Sequence, residues 1–229
     1  TTCTQKGTRV TNLLAGAHYT QTLGRSMVEM LGVLAIIGVL SVGAIAGYSK
    51  AMMKYKLNQH AQAVNMLINN VLSIKDKLKH NAGVNTYYGE LLYKLNMIPD
   101  GIEYGGNSYL TDIWFKENIS VYYSNNKYTD TDGTERQNDL GAISFYFDSA
   151  SARGEEICRN IAFAAKENAA NIYLLQQNTG TSASRENKYY GEAYCKEDKI
   201  CLRYLDINSV AKLCNGCSDA ICTIRVVWK

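Results

Sequence analysis

The residues best suited to chemistry in this chain are its seven cysteines: Cys3, Cys158, Cys195, Cys201, Cys214, Cys217 and Cys222. Cys214-Asn215-Gly216-Cys217 has the C-x-x-C spacing that can hold zinc or act as a redox pair. A zinc site built from four thiolates calls for a second such pair, but Cys195 and Cys201 are separated by the five residues KEDKI. A thioredoxin-like use needs a βαβ setting that the flanking sequence does not offer. Disulfides are the better expectation, with Cys195–Cys201 the readiest bridge, and they require an oxidising compartment. Asp130, Asp132, Gly133 and Asp139 partly match a calcium loop, yet Tyr128 stands where the first acidic ligand belongs, so a solvated hairpin loop is the better reading. With three histidines and no nucleophile elbow, Gly-rich phosphate loop or paired catalytic carboxylates, the chain reads as a non-enzyme with no cofactor and no metal.

One further carboxylate, Glu29, lies just inside the apolar stretch Gly24–Tyr48 (GRSMVEMLGVLAIIGVLSVGAIAGY). From Met30 to Tyr48 no side chain is charged, and as a helix that segment spans roughly 28 Å, close to the hydrocarbon thickness of a bilayer. An ionisable group there costs on the order of 2.5–3.5 kcal/mol at mid-bilayer and less near the interface, which makes Glu29 a functional candidate. A secretory signal peptide, with Ala44-Ile45-Ala46 as cleavage site, fits poorly. The apolar run is too long, starts late and carries an acid near its beginning. A buried core helix fits poorly at this length and purity. A plain single-pass anchor remains compatible with the hydropathy.

A glycine, four residues, a glutamate and then an uninterrupted apolar helix resembles the N-terminus of a type IV prepilin. The resemblance covers Gly24 to about Leu78, and the remainder carries no recognisable motif. It implies that Thr1–Gly24 is a leader of the long, type IVb-like kind, cut between Gly24 and Arg25 by a membrane-embedded prepilin peptidase that then methylates Arg25. It implies that Glu29 pairs with the N-terminal amine of a neighbouring subunit during assembly. Phe or Met is usual at the first mature position, so Arg25 is a departure that bears on processing, methylation and pairing. Implied partners are further copies of the chain in a helical homopolymer, the peptidase, an inner-membrane assembly platform, other pilins, and membrane lipid before assembly. Implied locations are the inner membrane for the precursor, then an extracellular pilus or a periplasmic pseudopilus. The rival within the family is a type II secretion pseudopilin or a minor tip pilin. Outside it, the rival is a single-pass anchored binding protein with a disulfide- or zinc-stabilised ectodomain.

Cysteine parity agrees with cleavage. An odd count leaves a free thiol in an exported protein, and removing Thr1–Gly24 takes Cys3 and leaves six cysteines for three disulfides, whose connectivity sequence leaves open. The leader carries Lys6 and Arg9 and no acid, so its loss lowers the formal charge from +3 to +1 (3 − 2 = 1). Thr1 is not a start methionine, so residues are expected to precede it. Without a long basic stripe, nucleic acid is not expected as a main partner.

The expected architecture is α+β and pilin-like. A long helix, residues 25–80, spans the membrane over about 27–48 and packs its second half on an antiparallel sheet in a head of residues 81–229. Leu57, Ala61, Val64, Leu67, Ile68, Val71, Leu72, Ile74 and Leu78 form the helical stripe, which by itself is ordinary core packing. The helix is expected to stop at Asn81-Ala82-Gly83. Pro99 is the chain's only proline, so a proline kink in the long helix is excluded. Further along, a short helix is expected over 87–95, a turn at Pro99–Gly101, and strands at 104–114, 119–123, 142–147, 172–175 and 223–228. Further helices are expected at 154–168 and 209–213, and loops at 125–139 and 178–187.

Overall fold

The computed structural model describes residues 26–78, 85–124, 127–129, 135–137, 140–148, 152–179, 187–196, 199–215 and 221–229. The chain divides into two compact units, one ending at Tyr48 and the other running Ser49–Lys229.

Helix α1 runs Met27–Ile74, 48 residues without a break. Ser26 begins it: the Glu29 N–H donates to the Ser26 carbonyl at 2.9 Å and approaches Ser26 Oγ at 3.4 Å. Every residue from Ser26 to Ala51 is exposed. The α-helical hydrogen bonding ends at Ile74, earlier than the Asn81–Gly83 stop expected from sequence, and tightens into a 3-10 turn at Lys75–Lys77 before Leu78 turns extended. Asn81–Gly83 itself lies outside the described residues.

Strand β1 (Thr86–Tyr87) and helix α2 (Gly89–Lys94) replace the single helix expected over 87–95. The Pro99–Gly101 turn forms as expected, with the Ile102 N–H donating to the Pro99 carbonyl at 3.1 Å and Gly101 at φ +95°, a conformation that favours glycine. Then follow β2 (Ile102–Tyr104), β3 (Tyr109–Asp112) and β4 (Asn118–Ser124), so the strand expected over 104–114 is two strands joined by a turn. Strands β5 (Lys127–Thr129) and β6 (Glu135–Gln137) pair as a small hairpin inside the expected loop. The long β7 (Leu140–Asp148), α3 (Ala152–Glu167), β8 (Leu174–Thr179), β9 (Lys188–Tyr190), α4 (Ile207–Asn215) and β10 (Ile221–Trp228) complete the chain. The fold is mixed α+β.

The main sheet has the order β2-β3-β4-β7-β10-β8-β9, with β1 also paired to β4, and all its strand pairings are antiparallel. Burial alternates with a period of two along β10 from Ile221 to Val226, as one covered face requires, whereas Val226, Val227 and Trp228 are all buried. Ile119, Val121, Ile143, Phe145, Leu175 and Ile224 supply the inner face. Onto that core α1 contributes Ala63, Val64, Leu67, Ile68, Val71 and Leu72. Each fully buried Leu, Ile or Val is worth about 1.5–3 kcal/mol over its exposed state, so this stripe outweighs any single polar contact in docking the helix. Four asparagine bonds add register. Asn160 Nδ2 donates to the Leu57 carbonyl (3.0 Å), Asn65 Nδ2 to Glu167 (2.8 Å), Asn168 Nδ2 to Asn65 (3.2 Å) and Asn70 Nδ2 to the Met97 carbonyl (2.8 Å).

Trp228 is fully buried at the end of β10, directly opposite Gly141 of β7. A Cβ on Gly141 would fall inside the indole ring, so glycine is required there by space rather than by backbone angle.

Candidate assembly helix and its clamp

Gly24 and Arg25 lie outside the described residues, and the site begins at Ser26. Glu29 stands three residues after Ser26, at the N3 position of α1, and Ser26-Met27-Val28-Glu29 is the S-x-x-E pattern of a capping box. This signal is additional to the glycine–glutamate spacing. A carboxylate in the first turn is favoured by the helix macrodipole, by roughly 0.3–1 kcal/mol at an exposed site. The position alone therefore gives the Glu29 carboxylate a favourable place in the single chain, whatever its neighbours.

After Glu29 the helix is apolar on all sides, and its most apolar stretch has none of its residues buried. Met27, Leu31, Leu34, Ile36, Val39, Leu40, Val42 and Ile45 are all large, apolar and exposed. By length and composition this helix can cross a membrane. Cβ atoms placed on Gly32, Gly38, Gly43 and Gly47 would meet nothing within 4 Å, so no contact among the described residues explains these glycines.

The second half of α1 is held by a polar clamp of which the sequence carries little sign. His60 is 1% exposed, and its Nε2 lies 3.7 Å from Oε2 of Glu117, which is 7% exposed. That separation suits an ion pair and exceeds a hydrogen bond, so both atoms lack a hydrogen-bond partner among the described residues. On the other side, His60 Nδ1 faces Asn160 Nδ2 at 3.3 Å. An amide nitrogen only donates, so Nδ1 accepts and the ring proton of neutral His60 sits on Nε2, toward Glu117. Phe115 packs edge-on against the His60 ring at 5.6 Å. Asp112, fully buried, accepts from the Phe115 N–H and closes the turn between β3 and β4. Burial pushes the Glu117 carboxyl up, an effect that His60 partly offsets. Burial also pushes Asp112 up, against the stabilising Phe115 N–H. The helical spacing 60, 64, 67/68, 71 could have placed His60 on the buried face, but no sequence signal links it to Asp112 or Glu117.

The described cysteines resolve into disulfides. Cys158 of α3 is bonded to Cys214 of α4, with Cα atoms 5.7 Å apart, and Cys195 is bonded to Cys201. Cys222 is disulfide-bonded as well, and Cys217 lies outside the described residues. Since Cys214 is bonded to Cys158, it is not a thiolate awaiting zinc, nor half of a redox pair with Cys217. Among the described residues no group of three His, Cys, Asp or Glu side chains is placed to hold a metal. The acids at Asp130, Asp132 and Asp139, with Gly133, lie outside the described residues.

Compared with known proteins, the chain matches no family model, no curated protein and no solved structure.

Proposed function

We propose that the chain is a pilin-like structural subunit that is processed after Gly24 and polymerises through α1. The observation that carries the reading is one unbroken helix with two characters. Its first half is apolar and exposed behind a carboxylate at N3, and its second half buries one face against an antiparallel sheet. Such a helix serves as a membrane anchor before assembly and as the packing element of a fibre core afterwards. In that core the exposed apolar residues would bury one another, and glycines without contacts among the described residues would permit close helix approach. Glu29 would then meet the amine of Arg25 from a neighbour, because a carboxylate removed from water is tolerated when paired with a cation. The disulfides suit a head exposed to an oxidising compartment.

The reading places the precursor in the inner membrane and the product in a surface pilus or a periplasmic pseudopilus. Its finer grade, among major pilin, minor pilin and pseudopilin, depends on copy number in purified fibres. The test is the intact mass of the membrane-extracted protein, co-expressed with an active prepilin peptidase, with and without reduction and alkylation. A chain beginning at a methylated Arg25 with six paired cysteines is the expected result. Retention of Thr1–Gly24 under those conditions overturns the reading and leaves a single-pass anchored protein.

A further inference from the structure

Three lysines follow the uncharged run with no acid beside them on the helix. Lys50, Lys54 and Lys56 all fall soon after Tyr48, and Glu29 is the only carboxylate of α1. Lys50 and Lys54 are exposed and Lys56 is half-exposed. Among the described residues no ion pair uses any of the three. Tyr48, Met53 and Tyr55 are exposed in the same stretch. Lysine and tyrosine suit the headgroup level of a bilayer, the first for its charge and the second for an apolar ring with a polar tip.

The head meets the helix at this level. In the loop between β3 and β4, Trp114 packs edge-on against Tyr55 at 6.1 Å and Phe115 against His60 at 5.6 Å. The Ile113 N–H donates to the Gly101 carbonyl at 3.0 Å, and the Phe115 N–H donates to Asp112, so the loop is held at both ends. Ile113 nevertheless stays 37% exposed. Tyr55 stands roughly 10 Å along the helix from Tyr48. The headgroup layer adds roughly 5–7 Å beyond the hydrocarbon on each side. A common helix tilt of about 20° lowers a group about 10 Å off the axis by about 3 Å more. Long lysine stems and an aliphatic loop tip can cover what remains.

We propose that the head rests on anionic lipid headgroups through this collar, with Lys50, Lys54 and Lys56 meeting phosphates and Ile113 dipping between them. Chain connectivity selects this partner, because Ser49 follows directly on the last residue of the uncharged run and keeps the collar within reach of the bilayer surface. Lys116 belongs to the same loop but is paired with Glu103 at 3.3 Å, so the free charge of the collar is that of α1. The inference rests on reading the first half of α1 as a bilayer anchor and does not depend on the chain polymerising. It adds to that reading a second lipid contact, made by the head.

The test places the full chain in lipid nanodiscs of phosphatidylcholine, alone or mixed with phosphatidylglycerol. Quenching of Trp114 by a headgroup-spin-labelled lipid reports docking, and Trp114→Phe supplies the background from Trp228. Quenching should rise with the phosphatidylglycerol fraction and fall back at high salt. Lys54→Gln should weaken docking about fivefold, and replacing all three lysines by glutamine should abolish its dependence on phosphatidylglycerol. Ile113→Asp should weaken docking with every lysine in place. Thermal unfolding checks that each variant is folded, and the exposed Lys54 keeps the test decisive if Ile113→Asp is not. Co-elution of the chain with the neutral discs reads insertion separately. A chain that enters neither disc overturns the anchor reading and this inference with it. A chain that enters both, but is quenched equally in them or irrespective of the lysines, overturns this inference alone. So does quenching unchanged in a folded Ile113→Asp, for then only the helix touches lipid.

Discussion

His60 Nε2 lies 3.7 Å from Glu117 Oε2 with both side chains almost fully buried, so one helix-to-sheet contact of this protein holds a titratable pair away from water. The pair joins α1 to the turn after β3, and its surroundings are Asp112, Asn160, Phe115 and Arg153. Burial there favours the protonated Glu117 carboxyl, and the nearby His60 works against that preference.

Stability should therefore fall as pH rises. Glu117 is held above its ordinary range by burial, so the folded chain binds that proton more tightly than the unfolded chain. Its contribution is complete below the ordinary glutamate value of 4.5 and is lost as pH climbs through the raised one. Glu117→Gln keeps the shape without the proton. It should flatten the decline and unfold at a higher temperature than wild type at pH 8, leaving only the slope that Asp112 contributes, which has the same sign. His60→Leu removes the neighbour that partly offsets burial at Glu117, so it should destabilise the fold more at pH 8 than at pH 5. Urea unfolding at a series of pH values measures both. Parallel profiles for wild type and Glu117→Gln would show that Glu117 does not titrate with folding.

The clamp marks where sequence stopped being informative. The apolar run, the Val64–Leu72 stripe, the Pro99–Gly101 turn and the β7 and β10 strands were legible because each is a local pattern with its own period or turn chemistry. The Cys195–Cys201 bridge was legible because its short loop leaves the two thiols near one another. By contrast, Cys158 and Cys214 are 56 residues apart, and only the packing of α3 against α4 brings them together. His60, Asp112 and Glu117 meet for the same kind of reason, a tertiary juxtaposition with no sequence period. The early end of α1 was missed because nothing in Ile74–Lys77 signals a stop. Leu78 leaves the helix to complete the core.

The two described disulfides should differ in worth. Chain-entropy arguments give about 4 kcal/mol for closing the loop between Cys158 and Cys214, and about 2 kcal/mol for the loop between Cys195 and Cys201. Cys158→Ser with Cys214→Ser should accordingly lower stability more than the other double variant. Denaturant midpoints of the two variants decide it, and the reverse order would mean that native packing, not loop closure, sets their value. Peptide mapping of the unreduced protein should recover both links.

Gly141→Ala tests the Trp228 contact. The added methyl has no space unless the indole moves, and overpacking of this kind costs about 1–3 kcal/mol. Trp228 is buried, so its displacement should also appear as a red shift in tryptophan emission beyond the signal from Trp114. An unshifted spectrum with unchanged stability would mean that β7 and β10 yield at this pair.

The proposed function gives Glu29 an assembly contact besides its place in the first turn of the helix, and the two can be separated. Ser26→Ala removes the hydroxyl that faces the Glu29 N–H and keeps the carboxylate. It should cost about 1 kcal/mol of helix start and leave assembly intact. Glu29→Ala removes the carboxylate and, with it, the partner of a neighbour's amine. Breaking one side of a buried pair costs about 3 kcal/mol, so the subunit association constant should drop by about 100-fold. Head stability should stay as in wild type, because Glu29 is exposed and far in sequence from every core residue. Both variants are compared by electron microscopy of sheared fibres and by unfolding of the extracted subunit, with intact mass confirming that each is still cleaved. If Ser26→Ala and Glu29→Ala reduce fibres equally while both are cleaved, the carboxylate acts only through the helix start. If Glu29→Ala alone abolishes them, it acts between subunits.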